Sequence, residues 1–142
     1  MAAITDVMTP NPVSCSPDAS LREVANLMVQ HDCGQIPVVD DAGAPLGVVT
    51  DRDIVVRAVA TGRELPACTA GDVMTTPCRS IGAGTSVQDA VALMEAGKIR
   101  RVPVVGDDGR LVGIVSIADL SLAGKAEATA QVVRQVSEPG DR

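Results

Sequence analysis

The sequence repeats itself after 66 residues, and this duplication restricts the possible folds more than any other feature. Shifting residues 6–53 by 66 positions places them on residues 72–119 without a gap, with 16 identical pairs among 48. The identities include an Asp-Val-Met-Thr segment, a Pro-Val-Val segment, and a Gly and an Asp at the end of each copy. Because a unit of roughly 50 residues is only marginally stable alone, we expect the two copies to pack against each other.

Both copies show the same order of predicted elements, which is strand, helix, strand, strand and helix. The first helix begins at Ser20 or Ser86, and an acidic residue three positions later completes the pattern of a capping box. An apolar stripe of 3.6-residue period follows, and Gly34 and Gly97 lie near the predicted helix ends. The order predicts an α+β fold of two β-α-β-β-α units related by pseudo-two-fold symmetry.

Turn-forming Asp and Gly residues separate the predicted strands. The strands of the first copy are residues 12–15, 35–39 and 45–50, and those of the second are residues 78–81, 101–105 and 110–116. The predicted boundaries are 4–61 for unit 1, 62–71 for a linker, 72–124 for unit 2 and 125–142 for a C-terminal tail.

Each copy ends with an apolar strand that leads directly into a helix. A hydroxyl residue, Thr50 or Ser116, lies at this corner, and a carboxylate, Asp53 or Asp119, follows three residues later. A hydroxyl and free N–H groups at a helix start suit a phosphate, and a carboxylate one turn later suits ribose hydroxyls. The same residues fit ordinary helix caps, but two matched copies favour the binding interpretation.

The composition restricts ligands and partners. The net charge of −6 and the pI of about 4.6 argue against a nucleic-acid partner. Because Phe, Tyr and Trp are absent, a bound base would have to lie between aliphatic side chains. No apolar run reaches the roughly 20 residues of a membrane span, and the first residues lack a signal-peptide pattern. We therefore expect a cytoplasmic protein without a membrane partner.

Catalysis and metal binding find little support in the sequence. The four cysteines form no Cys-x-x-Cys pair, and His31 with Cys33 offers two metal ligands without an evident third. His31 is the only histidine, and neither a nucleophile-elbow nor a phosphate-binding-loop pattern is present. We therefore expect no enzymatic activity, no metal and no required cofactor.

Taken together, the repeated motifs resemble those of the CBS domain, a family named after cystathionine β-synthase. They are the Asp-Val-Met-Thr opening, the Pro-Val-Val strand and the ending Gly-x-x-[Ser/Thr]-x-x-Asp, within about residues 4–124. The tandem resembles a CBS pair, also called a Bateman module. This resemblance implies a regulatory module that binds AMP, ADP, ATP, NAD or S-adenosylmethionine in clefts between the two units.

The resemblance also implies roles for particular residues. Asp53 and Asp119 would hold the ribose hydroxyls, and Thr50 and Ser116 would contact phosphate. The remaining implied ligand-binding residues are Val13, Ser14 and Ser80 near the first strands, Gly34, Arg100 and Arg101 before the Pro-Val-Val strands, and Arg52 inside the first corner. In this family a cleft usually combines the Asp of one unit with the early strand of the other.

The two copies differ in charge just before their Pro-Val-Val strands. Lys98, Arg100 and Arg101 of the second copy stand opposite Asp32, Gly34 and Gln35 of the first. Because a guanidinium binds phosphate through two parallel hydrogen bonds, we expect unequal clefts, including the case in which only one is occupied. The alternative for the two arginines is a solvated surface pair.

The sequence thus predicts a regulatory module that has an adenine nucleotide as its ligand. Binding would shift the conformation of the pair and act on an effector protein or on a homodimer partner. The alternative is a CBS protein that binds no ligand and acts through protein contacts in a stress response.

Overall fold

The structure is a computed structural model that describes residues 3–122. In chain order the elements are α1 (Ile4–Val7), β1 (Thr9–Pro10), α2 (Leu21–His31), β2 (Gln35–Val39), β3 (Pro45–Thr50), α3 (Asp51–Ile54, continued by a π-helix at Val55–Val59), a 3₁₀ turn (Leu65–Ala67), α4 (Ala70–Val73), β4 (Ile81–Gly82), α5 (Val87–Gly97), β5 (Arg101–Val105) and β6 (Leu111–Ser116). A further helix, α6, occupies residues 117–122. The predicted tail, residues 125–142, lies outside the described residues.

The two long helices begin where the capping pattern predicts. The hydroxyls of Ser20 and Ser86 accept the N–H groups of Glu23 and Asp89, each at 3.1 Å, at the starts of α2 and α5. Within residues 3–122 neither acidic side chain returns the bond to its capping residue. Each start is therefore half of the predicted capping box.

The same helices stop close to the predicted glycines, but the glycines are not the caps. Asp32 and Lys98 adopt the left-handed conformation there, with φ of 48° and 53°. Asp tolerates this region because its short side chain can form local hydrogen bonds, whereas Lys98 has no such advantage. Gly97 is the last residue of α5, and Gly34 lies beyond the end of α2.

Each unit begins with a short lead segment, residues 4–10 in unit 1 and 70–75 in unit 2, and each lead segment packs on the other unit. β1 pairs antiparallel with β6, and Ile4 of α1 is fully buried in the core of unit 2. Reciprocally, Val73 of α4 is fully buried in the core of unit 1, and Thr75 exchanges backbone hydrogen bonds of 2.8 and 3.1 Å with Val48. Because α4 begins at Ala70, its first two residues fall within the predicted linker.

A glycine in each unit makes room for the lead segment of the other unit. A Cβ on Gly47 would come within 2.7 Å of the Thr75 carbonyl oxygen and 3.0 Å of Met74 Sδ. Gly113 faces Met8 in the same way. Because the interior is closely packed, the corner glycine and the Met of the Asp-Val-Met-Thr motif are parts of one packing arrangement.

The exchange produces two similar sheets. In unit 2 the order is β1-β6-β5-β4, with β4 parallel to β5 and the other pairs antiparallel. Unit 1 repeats this order through β3 and β2, with single bridges at Thr75 and Cys15 on the two sides. The predicted α+β class with two related units is confirmed. Among the helices of residues 3–122, none combines the length and the apolarity needed to cross a bilayer.

Candidate functional site

A cleft of about 560 Å³ lies where the lead segment of unit 1 meets the corner of unit 2. Its volume is typical of small-molecule sites. The exchange of lead segments creates it, because β1 runs beside β6 and so brings the residues after β1 next to that corner. The lining residues are Thr9, Asn11, Pro12, Val13, His31, Asp32, Cys33, Gln35, Arg101, Ile114, Ser116 and Asp119.

Ser116 and Asp119 form a reciprocal cap at the start of α6. The Ser116 N–H donates to Asp119 Oδ2, and the Asp119 N–H donates to Ser116 Oγ, both at 3.1 Å. In the described part of the chain no other group donates a hydrogen bond to this half-buried carboxylate. The cap therefore fixes the carboxylate at the cleft and leaves Oδ1 available to a ligand.

The walls of the cleft are aliphatic where they are apolar. Pro12, Val13 and Ile114 line it, and the chain contains no aromatic residue. Polar side chains of both units also line the cleft, and Arg101 reaches it from the start of β5. An apolar slot with a few convergent polar groups is typical of a site for a small organic molecule.

The matching corner of unit 1 is occupied by the chain itself. Asp53 is 7% exposed, and its carboxylate accepts the Thr50 N–H at 3.0 Å. The Thr75 hydroxyl donates to both carboxylate oxygens, at 3.1 and 3.2 Å. The Arg57 guanidinium lies 3.9 Å from Asp53 Oδ1 and also donates to the Met74 carbonyl at 2.9 Å. These contacts use the groups that a ribose would need.

The repeat shows where the two corners differ. Arg57 of unit 1 matches Ala123, so the second copy has no guanidinium at this position of its sequence. Thr75 matches Thr9, which lines the open cleft, and within residues 3–122 the Thr9 hydroxyl makes no hydrogen bond to Asp119. The closed corner therefore depends on contacts that the open corner lacks.

The predicted site residues are divided between these places. Val13, Arg101, Ser116 and Asp119 line the cleft. Arg100 lines a neighbouring groove together with Arg101, and Ser14 lines a shallow depression of about 260 Å³. Outside these three cavities lie Thr50, Arg52 and Asp53 at the closed corner, Gly34 next to Asp51, and the exposed Ser80.

Several lining residues were not predicted as ligand-binding. Thr9 belongs to the repeated Asp-Val-Met-Thr motif, so the repeat itself carried a signal for it. Asn11 turns the chain into the cleft with a φ of 48°. His31, Asp32 and Cys33 reach the cleft because α2 ends beside it, a tertiary placement for which the sequence gives no local signal.

The four cysteines are free thiols in different surroundings. Burial raises the pKa of the Cys15 thiol to about 11, with a smaller contribution from the Glu23 carboxylate, and burial also raises the pKa of Cys78. Cys68 is buried, whereas Cys33 is half-buried in the cleft wall. No three His, Cys, Asp or Glu side chains cluster as metal ligands between residues 3 and 122.

Comparison with known sequences identifies the family. The CBS domain matches residues 4–59 and 70–125. The chain is 41% identical over 122 residues to CBS domain-containing protein YhcV of Bacillus subtilis, a match that covers 86% of this chain and 85% of that protein. It is 32% identical over 139 residues to Hypoxic response protein 1 of Mycobacterium tuberculosis, covering 98% of this chain and 96% of that protein.

Solved structures show the same architecture. CBSX2 in complex with AMP aligns with a TM-score of 0.79 and 26% identity, covering 90% of this chain and 99% of that one. The CBS domain pair of MJ0100 in complex with 5-methylthioadenosine and S-adenosyl-L-methionine aligns with a TM-score of 0.78 and 27% identity, covering 89% and 98%. Hypoxic Response Protein I with two coordinated zinc ions aligns with a TM-score of 0.78 and 33% identity, covering 84% and 97%. Because both halves match one domain and relatives of similar length match throughout, the chain belongs to the CBS domain family, with two CBS domains in tandem.

Proposed function

We propose that the chain is a regulatory module that binds one adenosine-containing ligand in the cleft between the lead segment of unit 1 and the corner of unit 2. The observation that carries this proposal is the Asp119 carboxylate, which is held in place by its cap and has an unused oxygen in a cleft of about 560 Å³. Two structural relatives are complexes with adenosine compounds, AMP in one and 5-methylthioadenosine with S-adenosyl-L-methionine in the other.

Each part of an adenosine ligand has a matching group in the cleft. The Asp119 carboxylate would accept hydrogen bonds from the ribose hydroxyls, as acidic residues do in dinucleotide folds. Val13 and Ile114 would cover the faces of the adenine with aliphatic surface. Ser116 and Arg101 would hold the first phosphate, since hydroxyl and guanidinium groups both donate to phosphate oxygens.

The corner of unit 1 would not compete for the same ligand. A ribose there would have to displace the Thr75 hydroxyl from Asp53 and fit beside the Arg57 side chain. Two backbone hydrogen bonds to Val48 hold Thr75 beside this corner, so a ribose could reach the carboxylate only at the cost of the Thr75 hydroxyl bonds. This cost supports occupation of one cleft per chain.

The position of the cleft suggests how binding is transmitted. Val13 and Gln35 belong to unit 1, and Arg101 and Asp119 belong to unit 2, so one ligand would contact both. A ligand that binds one arrangement of the two units more tightly shifts the population toward it. The proposed role is therefore regulatory and involves no catalytic step.

A homodimer, an effector protein and a cytoplasmic location stay predictions. The π-helical turn of unit 1 exposes Val55, Val56 and Val59, which are 57%, 46% and 56% accessible to solvent. Apolar side chains grouped in this way are common at subunit interfaces. We propose this turn as the surface through which a second copy associates.

Calorimetric titration with AMP tests the proposal. We expect one AMP bound per chain, and stabilisation of about 2.7 kcal/mol at a ligand concentration 100 times the Kd. NAD and S-adenosylmethionine serve as further probes of the same cleft. Because Trp and Tyr are absent, nucleotide that copurifies would also dominate the ultraviolet spectrum near 260 nm. Two molecules per chain would show that the unit 1 corner binds as well, and no binding of any probe would favour the ligand-free alternative.

A further inference from the structure

A second cavity adjoins the cleft at the corner of unit 2. This groove has a volume of about 710 Å³ and is lined by Met94, Glu95, Lys98, Ile99, Arg100, Arg101, Ser116, Ile117 and Ala118. Arg101 and Ser116 line both the cleft and the groove. A ligand whose first phosphate lies at these two residues therefore has room to extend from the cleft into the groove.

The groove is cationic although the whole chain is acidic. Lys98, Arg100 and Arg101 face one carboxylate, that of Glu95. The internal repeat supplies a built-in comparison, because the other copy has the same backbone plan. The three cation positions match Asp32, Gly34 and Gln35 of unit 1. Ile117 and Ala118 match Asp51 and Arg52, so unit 1 has two carboxylates and one guanidinium at these five positions. The concentration of positive charge is thus a property of the unit 2 corner and not of the fold.

The cleft itself is a poor place for several phosphates. Asp32 and Asp119 both line it, and their carboxylates repel further negative charge at short range. Arg101 stands at the boundary between the cleft and the groove. A chain of phosphates would lower its electrostatic energy by leaving the cleft past Arg101 toward Lys98 and Arg100.

We propose that the groove binds the second and third phosphates of a nucleoside polyphosphate, so that the module prefers a triphosphate to a monophosphate. This inference rests on the proposed adenosine cleft and names the class of ligand that the cleft selects. It also separates the candidate ligands, because S-adenosylmethionine has no phosphate and AMP has only the one that Arg101 and Ser116 would hold.

The test compares ATP with AMP by calorimetry at one fixed ionic strength, in the wild-type chain and in the Lys98→Asn/Arg100→Gln double variant. Asn is chosen at position 98 because it tolerates the left-handed conformation found there. We expect ATP to bind the wild-type chain at least about tenfold more tightly than AMP, the worth of one charge-assisted hydrogen bond. In the double variant ATP should bind only about one to three times as tightly as AMP.

A matched control removes the same amount of charge elsewhere. Arg22 is exposed on α2, and Arg63 is paired at 3.9 Å with the exposed Asp72, so neither lines the cleft or the groove. The Arg22→Gln/Arg63→Gln variant should keep the wild-type ratio of ATP to AMP affinity. If this control loses the preference as fully as the groove variant, net charge alone explains it and the proposal is wrong.

The remaining outcomes separate the two levels of the proposal. Equal affinity for AMP and ATP in the wild-type chain would overturn the groove while leaving the adenosine cleft intact. Inorganic tripolyphosphate that binds as tightly as ATP would identify a site for free polyphosphate, and would overturn the groove as an extension of a nucleoside site. Failure of both nucleotides to bind would overturn the proposed function and the groove together.

Discussion

Replacing Asp119 by alanine should lower the affinity for AMP by about 100-fold, the largest effect on binding that we expect from one side chain. Two hydrogen bonds from ribose hydroxyls to a carboxylate are worth about 1.5 kcal/mol each, and their loss of about 3 kcal/mol corresponds to this factor. Calorimetric titration of the wild-type and Asp119→Ala chains measures the difference directly.

The stability of this variant needs a separate measurement, because Asp119 also caps α6. Loss of its bond to the Ser116 N–H should cost about 1 kcal/mol of unfolding free energy. Asp119→Asn keeps an acceptor for that bond but removes the charge, so it should retain most of the stability and still bind AMP weakly. A wild-type isotherm for Asp119→Ala would show that this carboxylate does not hold the ligand.

The equivalent substitution in unit 1 should have the opposite phenotype. Asp53→Ala should lower the unfolding free energy by about 3 kcal/mol and leave the affinity for AMP within about threefold of wild type. Asp53 is buried and caps α3 by accepting the Thr50 N–H. It also accepts a hydrogen bond from the hydroxyl of Thr75, in the lead segment of unit 2. Its removal takes away a cap worth about 1 kcal/mol and leaves polar groups of the corner without their acceptor.

Urea unfolding followed by circular dichroism measures this loss, since a chain without Trp or Tyr gives no useful intrinsic fluorescence. Thr75→Val, alone and combined with Asp53→Ala, completes a double-mutant cycle. We expect a coupling energy of about 1 kcal/mol between the two sites, because the Thr75 hydroxyl bonds directly to the Asp53 carboxylate. A stable Asp53→Ala chain that no longer binds AMP would mean that the ligand occupies the unit 1 corner instead.

The duplicated sequence carried most of the information about the fold. The 66-residue shift requires both halves to share one plan, and the alternation of apolar strands with capped helices defines that plan locally. The starts of α2 and α5 were predictable because a serine cap and an acidic residue act over three positions. The ends of these helices were less predictable, because Asp32 and Lys98 adopt the left-handed conformation that glycine usually adopts at a helix end.

The exchange of the lead segments was not predictable from local pattern. The burial of Ile4 in unit 2 and of Val73 in unit 1 depends on which sheet edge each segment reaches, and that is decided by the packing of the whole pair. The glycines at 47 and 113 were visible in the repeat, but their purpose is clear only beside Met74 and Met8.

The candidate site was likewise predictable only in part. The repeat and the charge difference predicted that the two corners are unequal, because Lys98 and Arg101 have no cationic counterparts in unit 1. The closing of the unit 1 corner by Thr75 and Arg57 was not predicted. Thr75 lies 22 residues after Asp53, and Arg57, although it is only four residues from Asp53, lies outside the motif that marks the corner.

Two cysteines offer a direct test of which corner binds the ligand. Cys33 lines the open cleft. Cys78 is the repeat counterpart of Pro12, another cleft residue, so it marks the matching position at the closed corner. Their alkylation by N-ethylmaleimide can be followed peptide by peptide with mass spectrometry, in one sample of the wild-type chain and with or without saturating AMP.

We predict that AMP slows the modification of Cys33 by at least about tenfold and leaves the rate at Cys78 unchanged. Cys78 then serves as the internal reference for any general stabilisation of the chain. Protection of Cys78 with continued modification of Cys33 would contradict the account, because it would place the nucleotide at the corner that Thr75 and Arg57 close.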